Sequence, residues 1–409
     1  LAALGLVVLA LGCGGDDNET TGTPASTAGT STAAGSKTPS GEPINILAVL
    51  SLAGSLQPYG EIEKAVAEIV VDDWNADGGI LGRPVKLTVE NDSGDSTQGV
   101  ATIQQKLNSS KFDWVLPLFN DIPAGPALAD AKVMNSSWDS NSILADTTKY
   151  PYTFNTPNLN DTGAKAMLNY LTKTLKAKKI AVLYASDFVS PSFEQEFETA
   201  AKGFDVQVVG VESFAPDALD TTPQLIKLRD ASPDVLVLSA LPPAVGQALK
   251  DRTKLAWTVP VVGDNGVASI GLSALVGAAD LEGVSLLAYK AGTLTSSGQV
   301  PTELKDFLAK VKAKIGASPP FPFYDYVMVH DTMQLIKVGI EGAGSSDAQK
   351  VTKYLEGMSS NPPTPYPFLL QKMNFTAQRH FPDNVNAFTI AKAGALTDGF
   401  HTWQADIPQ

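Results

Sequence analysis

The 409-residue chain holds a single cysteine, Cys13. That excludes an intrachain disulfide framework, a Cys-x-x-Cys redox pair and a cysteine-based zinc site. Positive charge is also scarce, since 30 lysines and arginines stand against 43 aspartates and glutamates, a net charge of −13. Such an acidic chain is poorly matched to a phosphate backbone, so no nucleic-acid partner is expected. Histidine is rarer still, confined to His330, His380 and His401, none of them paired at metal-ligand spacing. No His-Glu-x-x-His, G-x-S-x-G, P-loop or G-x-G-x-x-G motif occurs, so neither an enzymatic activity nor a metal or cofactor is expected. Long apolar runs are missing too. The longest uncharged one, residues 1–11 (LAALGLVVLAL), is well short of the about 20 residues that a membrane-spanning helix needs. What remains is a composition of 44% hydrophobic and 18% charged residues, which suits well-filled soluble cores, and a length that calls for more than one domain.

The opening run has the length of a signal-peptide core, although the charged start that normally precedes one is absent, so residues 1–12 are expected to be a signal peptide with a truncated start. The stretch Leu9-Ala10-Leu11-Gly12-Cys13 resembles the bacterial lipobox, in which small residues precede a cysteine that is lipidated and becomes the mature N-terminus. The alternative is a plain signal peptide with an incidental cysteine. Residues 14–43 contain no Val, Ile, Leu, Met or aromatic residue, and 24 of these thirty are Gly, Ala, Ser, Thr or Pro. A segment of this kind buries too little apolar surface to offset its ordering entropy, so residues 13–43 are expected to be a lipidated anchor point and a disordered tether. The expected location is the periplasm or the cell surface, with the membrane touched through the lipid alone.

From residue 44 the pattern changes to strands alternating with helices. Strands are expected at 44–50, 84–91, 113–118, 179–184, 206–211, 234–239, 259–263, 284–289 and 387–393. Helices are expected at 61–75, 98–107, 126–133, 162–175, 193–201, 223–230, 245–255, 302–315, 324–340 and 347–356. The alternation implies an α/β protein of two doubly wound parallel-sheet lobes. A change of lobe is expected near residues 150–160. The late elements are too few for a third sheet, so the chain should cross between lobes more than once. The expected division is 44–156 plus 289–372 for one lobe and 157–288 plus 373–409 for the other, with a multi-strand hinge and a ligand cleft between them. Open sheets of this type bind ligands beyond the carboxyl ends of their strands. His330 reads as a helix histidine, and His380 and His401 fall in loop-like stretches.

The runs NILAVLSLAGSLQPYG and VDDWNADGGILGRPVKLTVENDSGDSTQGV, with Asn75, Gly78, Gly79, Gly82 and Asp92, resemble the periplasmic leucine/isoleucine/valine-binding proteins, type I solute-binding proteins of ABC importers. DVLVLSALPPAVGQAL and VVGDNGVAS fit as well. The resemblance spans residues 44 to about 400 and implies a monomeric two-lobed receptor that closes on a small solute and presents it to permease subunits. It further implies that Ser55 and Tyr59 stand after the first strand, and that Asn120, Asp121, Trp138, Asp139 and Ser140 occupy the two loops that normally hold an amino acid's carboxylate. The second lobe is then expected to contribute Leu241, Asp264 and Asn265, and Tyr324 a further aromatic, while Phe188 reads as a cleft residue because it directly follows the strand that ends at Tyr184. Only Ser140 keeps the hydroxyl expected in those loops, and the amine's carboxylate partner is replaced by the uncharged Asn265 beside Asp264. An ionised Asp121 or Asp139 would repel a ligand carboxylate in a partly desolvated cleft. A cationic, hydroxylated or apolar ligand suits these residues better, and the aromatics could hold a cation by its attraction to their ring faces. Asp121 and Asp139 could instead be helix caps. A sensor of the same fold and an α/β hydrolase are the alternative functions.

Overall fold

The computed structural model describes residues 38–54 and 56–408. The expected signal segment, Cys13, nearly all of the tether and Ser55 lie outside the described residues. Among the described residues no helix is long and apolar enough to cross a membrane.

The first sheet is parallel, in the order β2-β1-β3-β4, from β1 (Ile44–Leu50), β2 (Val85–Asn91), β3 (Trp114–Leu116) and the two-residue β4 (Met134–Asn135). Nearly every residue of β1 is buried, because helices cover both faces of such a sheet. Helix α1 (Gln57–Ala76) begins four residues before the expected start, with a proline in its first turn whose fixed φ suits that position. Helix α2 (Ser96–Ser109) is capped by Asp95, whose carboxylate accepts from the Thr97 and Gln98 amides. Helix α3 (Asp121–Asp130) replaces the expected 126–133 and carries Pro126 inside it rather than at its start.

The turn between α1 and β2 explains the NADGG run. Gly78, Gly79 and Gly82 have φ of +98°, +78° and +73°, where only glycine is unstrained. A Cβ on Gly79 would lie 1.9 Å from the Arg83 carbonyl oxygen. Asn75 then ties the helix to the strand, accepting from the Val85 amide at 2.8 Å and donating to its carbonyl at 2.9 Å.

The second sheet has seven strands in the order β11-β10-β9-β8-β7-β5-β6. Its parallel part is β5 (Lys179–Ala185), β6 (Gln207–Phe214), β7 (Val235–Ser239), β8 (Val261–Gly263) and β9 (Val284–Tyr289). Helices α4 (Asn160–Lys173), α5 (Ser190–Ala201), α6 (Thr222–Asp230) and α7 (Ala244–Lys254) alternate with these strands along the chain. The sheet is not wholly parallel, because β10 (Phe388–Thr397) and β11 (Phe400–Asp406) add an antiparallel hairpin. The expected strand at 387–393 is thus the first half of a longer one, and β11 was not expected at all. Its signal is the Asp398–Gly399 pair, with φ of +52° and +84°, a dipeptide that favours tight hairpins. His401 sits in β11, not in a loop. Its ring is buried and donates to the Ala268 carbonyl at 2.8 Å, and burial pushes its pKa down to about 4. His380 is buried and stacks on Phe154 at 3.8 Å.

Between β9 and β10 come α8 (Lys305–Ile315), α9 (Phe323–Ala343) and α10 (Ala348–Gly357). They belong spatially to the first sheet, since α8 and α9 pack on α1, and α10 packs on α9 and β4. The chain therefore passes between the sheets at three places, after β4, after β9 and before β10. The three passages are laced together at Asn158. Its amide donates to the Tyr289 hydroxyl at 2.9 Å, and its side chain exchanges hydrogen bonds with the Asn384 backbone at 3.0 and 3.3 Å. Arg379 adds a two-pronged ion pair to Asp161 at 3.1 and 2.8 Å. Burial would raise the Asp161 pKa, but the guanidinium overrides it and holds the carboxyl down at about 2.

Candidate functional site

A cavity lies between the two sheets. Side chains reach it from both sides. Tyr59 from α1, Trp138, Asp139 and Ser140 from the loop after β4, and Tyr324 from the first turn of α9 line one side. Phe188, Leu241, Asp264 and Asn265, each from a loop after a strand of the second sheet, line the other. Beyond Tyr59, Phe188, Leu241 and Ser269 a second, mainly apolar chamber opens, with Pro58, Pro242, Pro243, Ile270 and Phe321 in its walls.

Asn120 and Asp121 do not line this cavity. Asn120 is buried and donates to Asp92 Oδ2 at 2.8 Å, packed so closely on Gly99 that a Cβ there would come within 2.5 Å of its Nδ2. Asp92 also accepts from the Ser51 hydroxyl at 2.7 Å and the Gly94 amide at 2.8 Å, so Asn120 completes a clamp joining the loops after β1, β2 and β3. Asp121 opens α3, fully buried, and its Oδ2 accepts from the Ser137 hydroxyl. Burial, and then the neighbouring Asp139, hold its carboxyl well above the usual carboxylate range.

The electrostatics of the lining are one-sided. Among the described residues that line the cavity there is no lysine, arginine or histidine, while Asp139, Asp264 and Asp325 are all present. Asp264 is internally satisfied, with Oδ2 accepting from Ser239 Oγ at 2.6 Å and Oδ1 from the Val267 amide at 3.0 Å; burial pushes its pKa up to about 7. Asp139 accepts from the Asn141 amide at 2.8 Å, and burial pushes its pKa up to about 6. Asp325 differs from both. It is 1% exposed, its Oδ2 has no hydrogen-bond partner among the described residues, and burial holds its carboxyl well above the usual range. Burial, and next the Asp325 carboxylate, push the Tyr59 hydroxyl up to about 12. Asn265 donates to the Tyr324 hydroxyl at 3.2 Å, leaving its buried Oδ1 unpartnered.

Aromatic rings form the rest. Tyr59 stands edge-on to Trp138 and Phe119, with centroids 5.6 and 5.7 Å apart, and Phe119 meets Phe188 across the cleft at 5.4 Å. Tyr289 packs on Tyr324 at 5.4 Å and on Phe388 at 4.5 Å. Behind the wall, Trp138 Nε1 donates to Glu63 Oε2 at 2.7 Å, and burial pushes the Glu63 pKa up to about 8. Sequence reading missed Phe119, Tyr289, Asp325 and Phe388. Asp325 was legible, being an acid inside the apolar run FYDYVMV at a helix start, where a buried carboxylate is costly unless it has a task. The others carried no signal of their own, because each is an ordinary apolar residue beside a strand or helix end.

Relatives share this architecture. A Leu/Ile/Val-binding protein, BraC3, of Rhizobium johnstonii is 24% identical over 318 residues, covering 76% of this chain and 83% of its own. The isoleucine complex of the branched-chain amino acid transporter substrate-binding protein LivJ from Streptococcus pneumoniae matches with a TM-score of 0.67 at 18% identity, covering 88% of this chain and 98% of its own. A fatty acid ABC transporter substrate-binding protein from Thermomonospora curvata matches with a TM-score of 0.70 at 17% identity, covering 90% and 93% of the two chains. The periplasmic binding protein profile matches residues 43–395, almost the whole of the folded body, and the chain accordingly belongs to the periplasmic binding protein family.

Proposed function

We propose that this chain is the lipid-anchored substrate-binding component of an ABC importer, of the type that serves branched-chain amino acids, and that it delivers a small solute to permease subunits as a monomer. Family membership makes it a periplasmic solute-binding protein rather than an enzyme, so the hydrolase alternative falls away. The observation that carries the reading is the cavity between two sheets, lined from both sides and bridged by the Asn265–Tyr324 hydrogen bond and the Phe119–Phe188 contact. A solute touching both sides favours the drawn-together state in proportion to its differential affinity for it. Proteins of this fold include an isoleucine complex and a fatty acid ABC transporter substrate-binding protein, so the fold alone does not choose the solute.

Protein purified from its own host should retain a small molecule in native mass spectrometry. Removed and added back, that molecule should compact the protein in small-angle scattering; an unchanged radius of gyration would count against the proposal. Tyr59→Ala should weaken its binding by about 1–3 kcal/mol, roughly 5- to 150-fold, because the ring lines the cavity, is half-buried and packs on two others. Ser140→Ala should weaken it less. The anchor is tested separately, since Cys13→Ser should move the protein from the membrane fraction to the soluble one, and unchanged partitioning would refute the lipid.

A further inference from the structure

We infer that the solute is an amine without a carboxylate beside it, its cationic head held by Asp325 and Asn265 beneath the aromatic wall. This narrows the solute-binding proposal above and rests on it. Among the described residues, two buried acceptors in the cavity lining have no partner, Asp325 Oδ2 from α9 and Asn265 Oδ1 from the loop after β8. Buried polar atoms are normally satisfied, so each asks for a donor from the ligand. Tyr324, whose hydroxyl accepts from Asn265 at 3.2 Å, directly precedes Asp325 in α9, and all three residues line the one cavity. An ammonium group supplies up to three donors and a positive charge to such a lining. The faces of Tyr59, Tyr324 and Trp138 add their attraction for a cation.

A carboxylate fares badly in the same place. It would meet Asp139, Asp264 and Asp325 with no lysine, arginine or histidine in the lining to offset them. Zwitterionic amino acids bring such a carboxylate with them, and against it the lining offers the hydroxyls of Ser140, Ser269 and the tyrosines but no positive charge. The apolar body of the ligand extends toward the outer chamber past Phe188 and Leu241.

Binding should also respond to pH. A buried carboxyl that holds its proton releases it to solvent when an ammonium arrives, so affinity should rise with pH. The titrating groups around the head are Asp325 and Tyr59, with Asp139 and Asp264 on the neighbouring walls, Glu63 behind Trp138 and Asp187 at the outer chamber.

The test is calorimetry at pH 8 on the full chain with four matched probes, 2-phenylethylamine, L-phenylalanine, 3-phenylpropionate and 2-phenylethanol. The amine should bind at least about tenfold more tightly than the alcohol, and the propionate should not bind. Asp325→Asn should weaken the amine by about 30-fold or more while changing the alcohol by less than about threefold. Asn265→Ala, which leaves the acid in place, should weaken the amine to a smaller degree, and circular dichroism verifies that both variants fold. The inference is overturned if the alcohol matches the amine, if Asp325→Asn weakens both equally, if L-phenylalanine binds best, or if no probe binds. A preference for L-phenylalanine, with compaction on binding, would sink the amine head and leave the solute-binding proposal standing. That proposal fails on its own terms if the host-purified protein retains nothing and no solute compacts it.

Discussion

Glu63→Gln is expected to stabilise the protein at pH 8 and to leave it almost unchanged at pH 5. Glu63 is 2% exposed on α1, and its hydrogen-bonded neighbour in the cavity wall is the Trp138 indole. Burial raises its pKa from the usual 4.5 to about 8. The folded protein therefore binds this proton more tightly than the unfolded chain. The resulting stability is fully present below pH 4.5 and is lost as pH rises through about 8. At about 1.4 kcal/mol per pKa unit, the loss by pH 8 amounts to a few kcal/mol, roughly 2–4 when some relaxation of the site is allowed. Glutamine cannot ionise and keeps an acceptor for Trp138, so it escapes the loss. Urea unfolding at the two pH values measures the difference; an equal shift at both would show that the proton is not the cause. Asp139 and Asp264, also raised, tilt wild type and variant alike against high pH, and the lowered His401 tilts both the other way, so the difference between the two proteins isolates Glu63.

Gly60→Val should be the most damaging single change on α1. A Cβ at this position would stand 2.2 Å from the Ser51 carbonyl oxygen and 2.8 Å from its carbon. Both are backbone atoms at the end of β1, so no side chain can swing away to make room. The helix must lift off the strand, at a cost of about 3 kcal/mol or more, and Tyr59, the neighbouring residue, leaves its place against Trp138 and Phe119. The variant should show a lowered urea midpoint and a blunted Trp fluorescence response to ligand. Wild-type stability in Gly60→Val would mean that the helix does not rest on this strand.

Much of the fold was legible because it depends on local rules. The boundaries of β1 and β9 coincide with apolar runs, and the NADGG turn carries its reason in its own residues. The residues that made the family recognisable, Asn75, the glycines after it and Asp92, turn out to hold strands and turns together rather than to face the cavity. That is also why the family was clearer than the ligand. Asn120 and Asp121 were placed in the site by analogy, and the packing on Gly99 and the Ser137 hydroxyl draw them away from it. The cavity joins Tyr59, Asn265 and Asp325, whose neighbours in space are far apart in the chain, and no periodicity in the sequence reports such a meeting. Hairpin β10–β11 was half missed because β11 (FHTWQAD) is mostly polar and reads as a strand only beside its partner.

The three passages laced at Asn158 have a mechanical consequence. Two bodies joined by one strand can twist and slide as well as bend, whereas three parallel straps leave bending as the soft motion and resist torsion and shear. Opening and closing should then follow a single angular coordinate, so that the two halves of the cavity return to the same registration at every cycle. The straps are also redundant. A protease cut in any one of them should leave the halves held by the other two, and a nicked protein should run as one body under native conditions and as two fragments only when denatured.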